Sequence, residues 1–359
     1  MIAVFNPGSS SLKYKVFDPD SNFSETLSGS VNNIGDDDFA DHAVAAKYLA
    51  KEIKNHKVHL NVIAYRIVHG GGLLENGVQA TEKNIKILES FSSLAPLHNP
   101  PAILTIKSCE PLFGHAKHLM FFDTDFFAEL PDEEATYPLP LNISSDLKIR
   151  RFGFHGISHK YAMKKSDPQT KSNIITIHLG AGCSIAAIKR GKPIATSLGF
   201  TPDEGLMMQT RSGDIDPGII FFLIEKYGMD RTREIIEKES GLRGVSGTDG
   251  NMLNVLYAAG LKIEDPAFKP KMIRTEKGIK NAKFALELYV RRIQKYVTYY
   301  TFLLGSVDKL IFTGMIGAGS SVIRNMIVEN FDRLPIHEYE VIKPNEELAI
   351  ALEACKKEY

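Results

Sequence analysis

The stretch Met1-Ile-Ala-Val-Phe-Asn-Pro-Gly-Ser-Ser-Ser-Leu-Lys-Tyr-Lys-Val-Phe17 decides the fold. Residues 2–5 are all apolar, which predicts a short buried strand. Residues 6–11 combine Asn, Pro and Gly with three serines, a composition typical of a tight turn. Residues 12–16 alternate apolar side chains with lysines, which predicts a returning strand. The tip of such a hairpin presents backbone N–H groups and hydroxyls that bind anions such as phosphate.

Length, charge and cysteine content limit the class of protein. A chain of 359 residues is long enough for two domains of ordinary size. Its 43 basic residues balance 43 acidic ones, so we expect neither nucleic acid nor a membrane surface as a partner. The apolar run at residues 2–5 is far too short for a signal peptide core, and no stretch approaches the roughly 18 apolar residues of a membrane span. The cysteines Cys109, Cys183 and Cys355 are widely spaced and suit no disulfide or metal framework, so we expect a reducing cytoplasm.

The pattern of the N-terminal hairpin returns later in the chain. Residues 173–188 again read as a strand, a turn rich in Gly and Ser, and a second strand. This repetition predicts two α/β domains with similar cores. A third glycine-rich turn is expected at 314–320, after a strand at 309–312. Apolar side chains at steps of three or four over 285–303 predict a long amphipathic helix.

Polar side chains follow two further predicted strands. Residues 62–68 contain Arg66 and run into His69, and residues 118–122 run into Asp123. Ligands of open α/β sheets bind beyond the carboxyl ends of the strands. These side chains therefore lie where a site is expected.

The chain holds candidates for each part of a phosphoryl-transfer site, which needs anion donors, a divalent cation and positive charge over the transferring group. The candidates for holding the anion are Asn6, Ser9, Ser11 and Lys13. Oxygen ligands for magnesium are available in Asp123 and Glu346, and a guanidinium clamp in Arg66 and Arg211. His155 lies in a Gly-flanked loop before a predicted helix.

Structural interpretations compete with several of these assignments. Lys13 fits a solvated strand position, and Glu347 fits a charge in the first turn of a helix capped by Asn345. His155 and His159 have the i, i+4 spacing of a zinc pair, but no acidic third ligand follows at a typical spacing, so zinc is not expected.

Taken together, these motifs resemble the acetate kinase family. The matching segments run in family order along the chain: 6–13 (NPGSSSLK), 66–71 (RIVHGG), 95–101 (APLHNPP), 122–124 (FDT), 153–156 (GFHG), 200–211 (FTPDEGLMMQTR), 212–217 (SGDIDP) and 345–348 (NEEL). Several are long and unusual, which makes the match specific.

The resemblance implies the two-domain α/β fold of the actin and sugar-kinase superfamily, a ribonuclease H-like core that is duplicated around an interdomain cleft. The expected domains are 1–123 with 345–359, and 124–344. The implied enzyme is an acetate kinase that reversibly transfers the γ-phosphoryl group of ATP to acetate. Its implied cofactor is Mg²⁺ or Mn²⁺, its location cytoplasmic, and its assembly a homodimer.

The resemblance also implies roles for individual residues. The implied catalytic residues are Arg66, His98, Asp123, His155 and Arg211. Arg66 and Arg211 hold the acetate carboxylate and the phosphoryl group, Asp123 helps to position the metal, and His155, with His98 nearby, donates to the pentacoordinate transition state. Asn6 contacts the transferring phosphoryl group and, with Glu346, belongs to the metal site. The implied phosphate and nucleotide contacts are Asn6, Ser9, Ser11, Lys13, His178, Gly180, Gly182 and Gly317. The acyl methyl group is expected against Val68, Leu97, Phe154 and Pro202.

Departures from the family pattern are concentrated in the nucleotide half. The family turn HLGNG has Ala181 in place of Asn, and the family sequence MGTR has Gln209 in place of Gly. The adenosine turn AGIGEN aligns with 314–319 and lacks its Glu and Asn. The loop SNDFRD aligns with 249–254 and keeps little of its pattern. These changes suggest an altered phosphoryl donor site.

Three alternatives follow from these departures. The same acyl phosphorylation could use pyrophosphate or another donor, or propionate as the acceptor, since one methylene in an apolar pocket is worth only about 1–3 kcal/mol. A catalytically impaired protein that binds acyl phosphate is the non-enzyme alternative.

Overall fold

The structure is a computed structural model that describes residues 1–36, 38–270 and 273–358. The chain forms two compact units. Unit 1 comprises residues 1–128, 154–161 and 345–358 of the described chain. Unit 2 comprises residues 129–153 and 162–344.

Strands are numbered along the chain. Those of unit 1 are β1 (Ile2–Pro7), β2 (Ser11–Asp18), β3 (Ser24–Asn32), β4 (Val62–Ile67), β5 (Val78–Gln79) and β6 (Lys117–Phe122). Those of unit 2 are β7 (Asn173–Leu179), β8 (Cys183–Lys189), β9 (Lys192–Thr196), β10 (Val307–Thr313) and β11 (Ile336–Val341).

Helices are numbered in the same way. They are α1 (His42–Asn55), α2 (Glu82–Ser90), α3 (Asn99–Cys109), α4 (Asp132–Ala135), α5 (Leu141–Asp146), α6 (Gly156–Ser166), α7 (Pro217–Tyr227), α8 (Met229–Glu234), α9 (Gly241–Ser246), α10 (Met252–Ala258), α11 (Glu276–Leu304), α12 (Gly314–Gly319), α13 (Ser321–Val328) and α14 (Glu346–Glu358). A π-helical turn, Ile235–Glu239, follows α8.

The sheets of the two units share one topology. The first has the order β3-β2-β1-β4-β6-β5 and the second β9-β8-β7-β10-β11. In each, the first three strands form an antiparallel meander, and two later strands add in parallel beside its first strand. The first sheet has in addition the short strand β5, which pairs antiparallel with β6 at its edge. The predicted α/β class and duplicated core are confirmed.

Burial on both faces explains the apolar run of β1. Ala3 and Phe5 belong to a core cluster that includes side chains of α1 and α3. Ile2 and Val4 point to the opposite face and pack in a cluster with α14. Central parallel strands covered on both sides are apolar throughout, which is why residues 2–5 identify the sheet from sequence alone.

Helix α11 confirms the predicted amphipathic stripe. It extends from Glu276 to Leu304, and its Tyr289, Ile293 and Tyr300 are buried.

The structure differs from the glycine-rich turn expected at 314–320, because the chain turns only at Gly314. Gly314 has φ +78°, and a Cβ there would collide with the backbone of Leu179. The chain then enters α12, so Gly317 lies buried in a short helix rather than in a turn.

The compact units differ from the expected division in two segments. Residues 124–128 and 154–161, expected in the second domain, belong to unit 1. The first turns of α6 pack there because Ile157 joins the core cluster of Ile2 and Val4. Among the described residues, no helix combines the length and the apolar character needed to cross a bilayer.

Candidate active site

Arg66 lies at the centre of a polar cluster in unit 1. Its Nη2 donates to Asp123 Oδ2 at 2.7 Å, and its Nε donates to the same oxygen at 3.2 Å. Its Nη1 donates to Asn6 Oδ1 at 3.1 Å and lies 3.4 Å from Glu346 Oε2. One guanidinium therefore joins side chains that are far apart in sequence.

Strand register brings these residues together. Strands β1, β4 and β6 are parallel neighbours, and Asn6, Arg66 and Asp123 come at or just after their carboxyl ends. The backbone N–H of Asp123 donates to the carbonyl of Ile67 at 2.9 Å, which continues the ladder one residue beyond β6. The sheet itself therefore brings together Arg66 and Asp123, two of the side chains expected at its strand ends, with Asn6.

Helix α14 adds two carboxylates to the cluster. Asn345 Oδ1 accepts from the backbone N–H of Leu348 at 3.2 Å, which confirms Asn345 as the N-cap. Glu346 and Glu347 then lie in the first turn. Asn6 Nδ2 donates to Glu347 Oε1 at 2.7 Å and lies 3.5 Å from Glu346 Oε2. Glu347, interpreted from sequence as a helix-end charge, therefore contacts the cluster directly.

Burial and the charge of the neighbouring partner have opposite effects on the pKa values of Asp123 and Arg66. Burial raises the pKa of Asp123, Arg66 opposes that rise, and nearby Glu346 adds to it. Burial alone would lower the pKa of Arg66, but the carboxylates of Asp123 and Glu346 raise it above its usual value. Arg66 is therefore a permanent cation that compensates two carboxylates.

The donor set suits a hard divalent cation. Asp123 Oδ1 is buried and accepts no hydrogen bond of normal geometry from any described residue. Carboxylate and amide oxygens are available on Asp123, Glu346 and Asn6, and such oxygens are the ligands that Mg²⁺ prefers. In the described part of the chain, no group of three or more His, Cys, Asp or Glu side chains forms a complete metal cage. Mg²⁺ is commonly held by one or two carboxylates with substrate phosphates, so the residues fit that ion.

Two hydrogen bonds fix the backbone of the turn that is expected to hold phosphate. Gly8 N donates to Ser11 O at 2.7 Å, and His42 Nε2 of α1 contacts Gly8 O at 2.8 Å. Ser9 is exposed and Ser11 is half-buried. Lys13 pairs with Asn6 across the hairpin, and its side chain is exposed.

An amide bridge fixes the region after β4. Asn99, the first residue of α3, accepts from His69 N at 3.2 Å and donates to His69 O at 3.0 Å. His98 precedes it as the half-buried N-cap residue of α3. The bridge positions the chain on both sides, including Val68 and Leu97. Sequence reasoning missed Asn99, although its position at the start of α3, opposite a strand end, was a usable signal.

The remaining acyl-pocket residue of unit 1, Phe154, is buried with its ring 5.4 Å from that of His69. Val68 is also buried, whereas Leu97 is exposed. His155 follows Phe154 and has φ +56°. Gly156 N then donates to Asp123 O at 2.9 Å, and a Cβ on Gly156 would collide with that oxygen. The predicted loop before a helix is confirmed, and it is tied to the strand end that carries Asp123.

Arg211 and Pro202 lie in unit 2 and contact each other. Arg211 Nη1 donates to Pro202 O at 2.7 Å. Arg211 Nε lies 3.7 Å from Asp203 Oδ1, in a partly exposed ion pair. Asp203 was missed by sequence reasoning, although it directly follows Pro202 in the matching segment.

Parts of the expected nucleotide turns line a pocket in unit 2. Its volume is about 430 Å³, and its lining includes Gly180, Ala181, Gln209, Met315 and Ile316. Further along the same wall are Asn251, Met252, Leu253, Glu264, Asp265, Gly319 and Ser320. The lining has five apolar and five polar side chains, two of them carboxylates, and none of the described lining residues is Lys or Arg. His178, Gly182 and Gly317 belong to the same unit but do not line the pocket.

Comparison with known proteins places this geometry in a family. The model of the Acetokinase family matches residues 1–349. The acetate kinase of Thermoanaerobacter pseudethanolicus is 37% identical over 93% of this chain and 87% of its own length. The crystal structure of Porphyromonas gingivalis acetate kinase has a TM-score of 0.85 at 30% identity and covers 99% of each chain. A propionate kinase from Francisella tularensis has a TM-score of 0.87 at 31% identity and covers 98% of each.

The duplicated α/β sheets and the similarity to these solved kinases therefore define an enzyme of the phosphotransferase class. Within that class, the chain belongs to the Acetokinase family.

Proposed function

We propose that this enzyme reversibly transfers the γ-phosphoryl group of ATP to acetate and forms acetyl phosphate. The observation that carries the proposal is the cluster around Arg66, where a buried cation and hard oxygen ligands meet at the carboxyl ends of three parallel strands. Phosphoryl transfer depends mainly on positioning and electrostatic stabilisation, which such a cluster supplies. Family membership supports the same reaction.

The acceptor carboxylate and the transferring phosphoryl group are assigned to the two arginines. Arg66 and Arg211 have the planar donor fork that binds carboxylate and phosphoryl oxygens bidentately. Arg66 is held rigidly by Asp123 and Asn6, which limits the entropy lost when substrate binds. His155, with His98, donates to the transferring group in this assignment. The acyl methyl group is assigned to Val68, Leu97, Phe154 and Pro202.

The metal is assigned to Asp123, Glu346 and Asn6, directly or through water. Bound Mg²⁺ neutralises charge that develops on the transferring phosphoryl group. Glu347 is added to this assignment as a positioning residue, because it fixes the amide of Asn6 at 2.7 Å. Mn²⁺ suits the same oxygen ligands.

The donor is assigned to a nucleoside triphosphate whose nucleoside end occupies the unit 2 pocket. An apolar surface on which a base can pack is formed by Met252, Leu253, Met315 and Ile316. Carboxylates such as Glu264 and Asp265 can accept from ribose hydroxyls. The turns of Gly180 and Gly182 lie at one end of that unit's first hairpin, where β7 meets β8, and suit the phosphates.

Pyrophosphate is the second candidate donor, favoured by Gln209. This side chain lines the pocket with Gly180 and Ala181, and the backbone N–H of Gln209 donates to Ala181 O at 3.2 Å. The two carboxylates, with no Lys or Arg among the lining residues that the structure describes, oppose a small, highly charged donor there. The charge of the pocket therefore favours ATP.

A hydroxamate assay for acyl phosphate tests these assignments. Acetate and propionate are offered as acceptors, each with Mg²⁺ and ATP, GTP or pyrophosphate. The proposal expects product with ATP and acetate, and a lower kcat/KM with propionate. If product forms only when pyrophosphate is the donor, pyrophosphate replaces ATP in the assignment. If no combination of donor and acceptor gives product, the alternative of a protein that only binds acyl phosphate is favoured.

Assembly as a homodimer in the cytoplasm completes the proposal. Helix α7 has no buried residue, and Ile219, Phe221 and Phe222 on it are exposed. Apolar patches of this kind mark interaction sites. Sedimentation of the purified chain tests the dimer, and the double variant Phe221→Asp with Phe222→Asp is expected to be monomeric.

The proposed location in the cytoplasm is supported by the free cysteines Cys109 and Cys183, which are buried thiols that suit a reducing compartment.

A further inference from the structure

A network of half-buried side chains lies beside the Arg211 loop in unit 2. Its centre is Glu204. Arg151 Nη2 donates to Glu204 Oε1 at 2.6 Å, and the Tyr137 hydroxyl donates a short hydrogen bond to Glu204 Oε2. Burial raises the pKa of Tyr137, although Arg151 opposes the rise, so the hydroxyl stays protonated and remains a donor.

The same two residues hold the backbone that leads to Glu204. The Tyr137 oxygen accepts from Phe200 N at 2.8 Å. Arg151 Nη1 donates to Leu198 O at 3.2 Å, and Arg151 Nε donates to Glu134 O at 3.1 Å. The chain is therefore fixed at Leu198, at Phe200 and again at Glu204.

Two glycines make this arrangement possible. A Cβ on Gly199 would collide with both Glu204 Oε2 and the Tyr137 hydroxyl. Gly205 has φ +96°, and its N–H donates to Asp214 Oδ1 at 2.8 Å. The chain on each side of Thr201–Asp203 is thus held by side chains outside the loop.

That fixed span is what holds Arg211. The Pro202 carbonyl accepts from Arg211 Nη1 at 2.7 Å, and the Asp203 carboxylate lies 3.7 Å from Arg211 Nε. A displacement of the span would move both groups, and with them the guanidinium.

We propose that Glu204, clamped by Arg151 and Tyr137, is a positioning residue that sets the orientation of Arg211 for phosphoryl transfer. The inference rests on the proposed function, in which Arg211 stabilises the transferring group. It assigns no contact with substrate to Glu204, Arg151 or Tyr137.

A double-mutant cycle tests the proposal. Glu204→Gln keeps the size of the side chain but weakens its bond to Arg151. Because misplacement of a catalytic group by about 1 Å can cost 10²-fold, we expect kcat to fall about 10- to 100-fold with KM for acetate changed less than about threefold. In an Arg211→Lys background, Glu204→Gln is expected to change kcat by no more than about twofold, since a displaced loop has no guanidinium left to misplace.

Controls separate positioning from general stability. Tyr137→Phe removes one hydroxyl and is expected to behave like Glu204→Gln in both backgrounds, so a poorly folded Glu204→Gln does not end the test. Glu89→Gln removes the carboxylate partner of Lys107 at an exposed pair of 2.7 Å and is expected to leave kcat unchanged.

Two results would overturn the inference. The first is that Glu204→Gln and Tyr137→Phe each lower kcat by the same factor in the Arg211→Lys background as in the wild-type background. The second is that neither substitution changes kcat in the wild-type background. Inactivity of the wild-type chain with every donor would instead contradict the proposed function, so the two failures are distinguishable.

Discussion

The guanidinium of Arg66 holds one oxygen of Asp123 with two of its nitrogens, Nη2 at 2.7 Å and Nε at 3.2 Å. The Asp123 side chain is 2% exposed and that of Arg66 is 16% exposed, so water screens the pair only weakly. A pair of this kind at parallel strand ends fixes the position of a cation and a carboxylate at once.

Removal of Arg66 should harm both folding and activity. Arg66→Ala leaves Asp123 and Glu346 near each other without compensation, and breaking a buried pair from one side costs about 3–5 kcal/mol. We expect urea denaturation to show a loss near the lower figure, because Glu346 is partly solvated, and kcat to fall at least about 100-fold. Arg66→Lys is the matched control, with stability largely kept and activity still low. Full activity in Arg66→Ala would contradict the assignment.

Arg211 should affect turnover more than substrate affinity. A charge directed at the transition state contributes about 10²- to 10³-fold to kcat, so Arg211→Ala is expected to lower kcat by that amount. Its ion pair with Asp203 is partly exposed and contributes little to folding, so the melting temperature should hardly change. Steady-state kinetics check this prediction, and a change in KM alone would show that Arg211 serves only in ground-state binding.

His42 should support the phosphate-facing turn. It is 5% exposed and its Nε2 contacts Gly8 O at 2.8 Å. His42→Ala leaves that carbonyl without its partner, at a cost of about 1–3 kcal/mol, and is expected to raise KM for the phosphoryl donor about tenfold. His42→Gln, which retains an N–H donor, should recover part of both losses. Equal KM values for wild type and His42→Ala would remove the turn from donor binding.

Gly199 and Gly114 form a matched pair. A Cβ at Gly199 collides with the Glu204 carboxylate and the Tyr137 hydroxyl, whereas a Cβ at Gly114 meets only Glu110 O at 3.6 Å. Gly199→Ala should lower the free energy of unfolding by at least about 2 kcal/mol and reduce kcat. Gly114→Ala should change stability by less than about 1 kcal/mol. Similar stability losses in the two variants would argue against the close packing around Gly199.

The cysteines should differ sharply in reactivity. Burial raises the pKa of Cys109 to about 12 and also raises that of Cys183, whereas Cys355 is partly exposed. The thiolate is the reactive form, so Ellman's reagent at pH 8 should label one thiol per native chain and three after denaturation. Rapid labelling of Cys109 in the native protein would show that its surroundings open.

Local sequence pattern was sufficient for the elements that carry the site. The apolar run of residues 2–5, the Ser-rich turn and the alternating lysines predicted β1 and β2, and the repeated pattern at 173–188 predicted β7 and β8. Each depends on burial period or turn chemistry, which neighbouring residues determine. The N-cap at Asn345 was predictable for the same reason.

Long-range pairing was not accessible in the same way. The contact of Asn6 with Glu347 joins residues 341 positions apart, and only the packing of α14 on the sheet creates it. The Arg151–Glu204–Tyr137 network likewise depends on loops meeting in space. The glycines of 314–319 predict a turn, but the chain turns at Gly314 against the Leu179 backbone and then forms α12.

The most direct test of carboxyl phosphotransfer by this chain is ³¹P NMR of the purified protein with acetyl phosphate, ADP and Mg²⁺. We expect the acetyl phosphate resonance to decline while the γ-phosphoryl resonance of ATP grows in equal amount, and we expect Arg66→Ala to abolish the exchange. Persistence of acetyl phosphate, or its conversion to inorganic phosphate without ATP, would contradict the account.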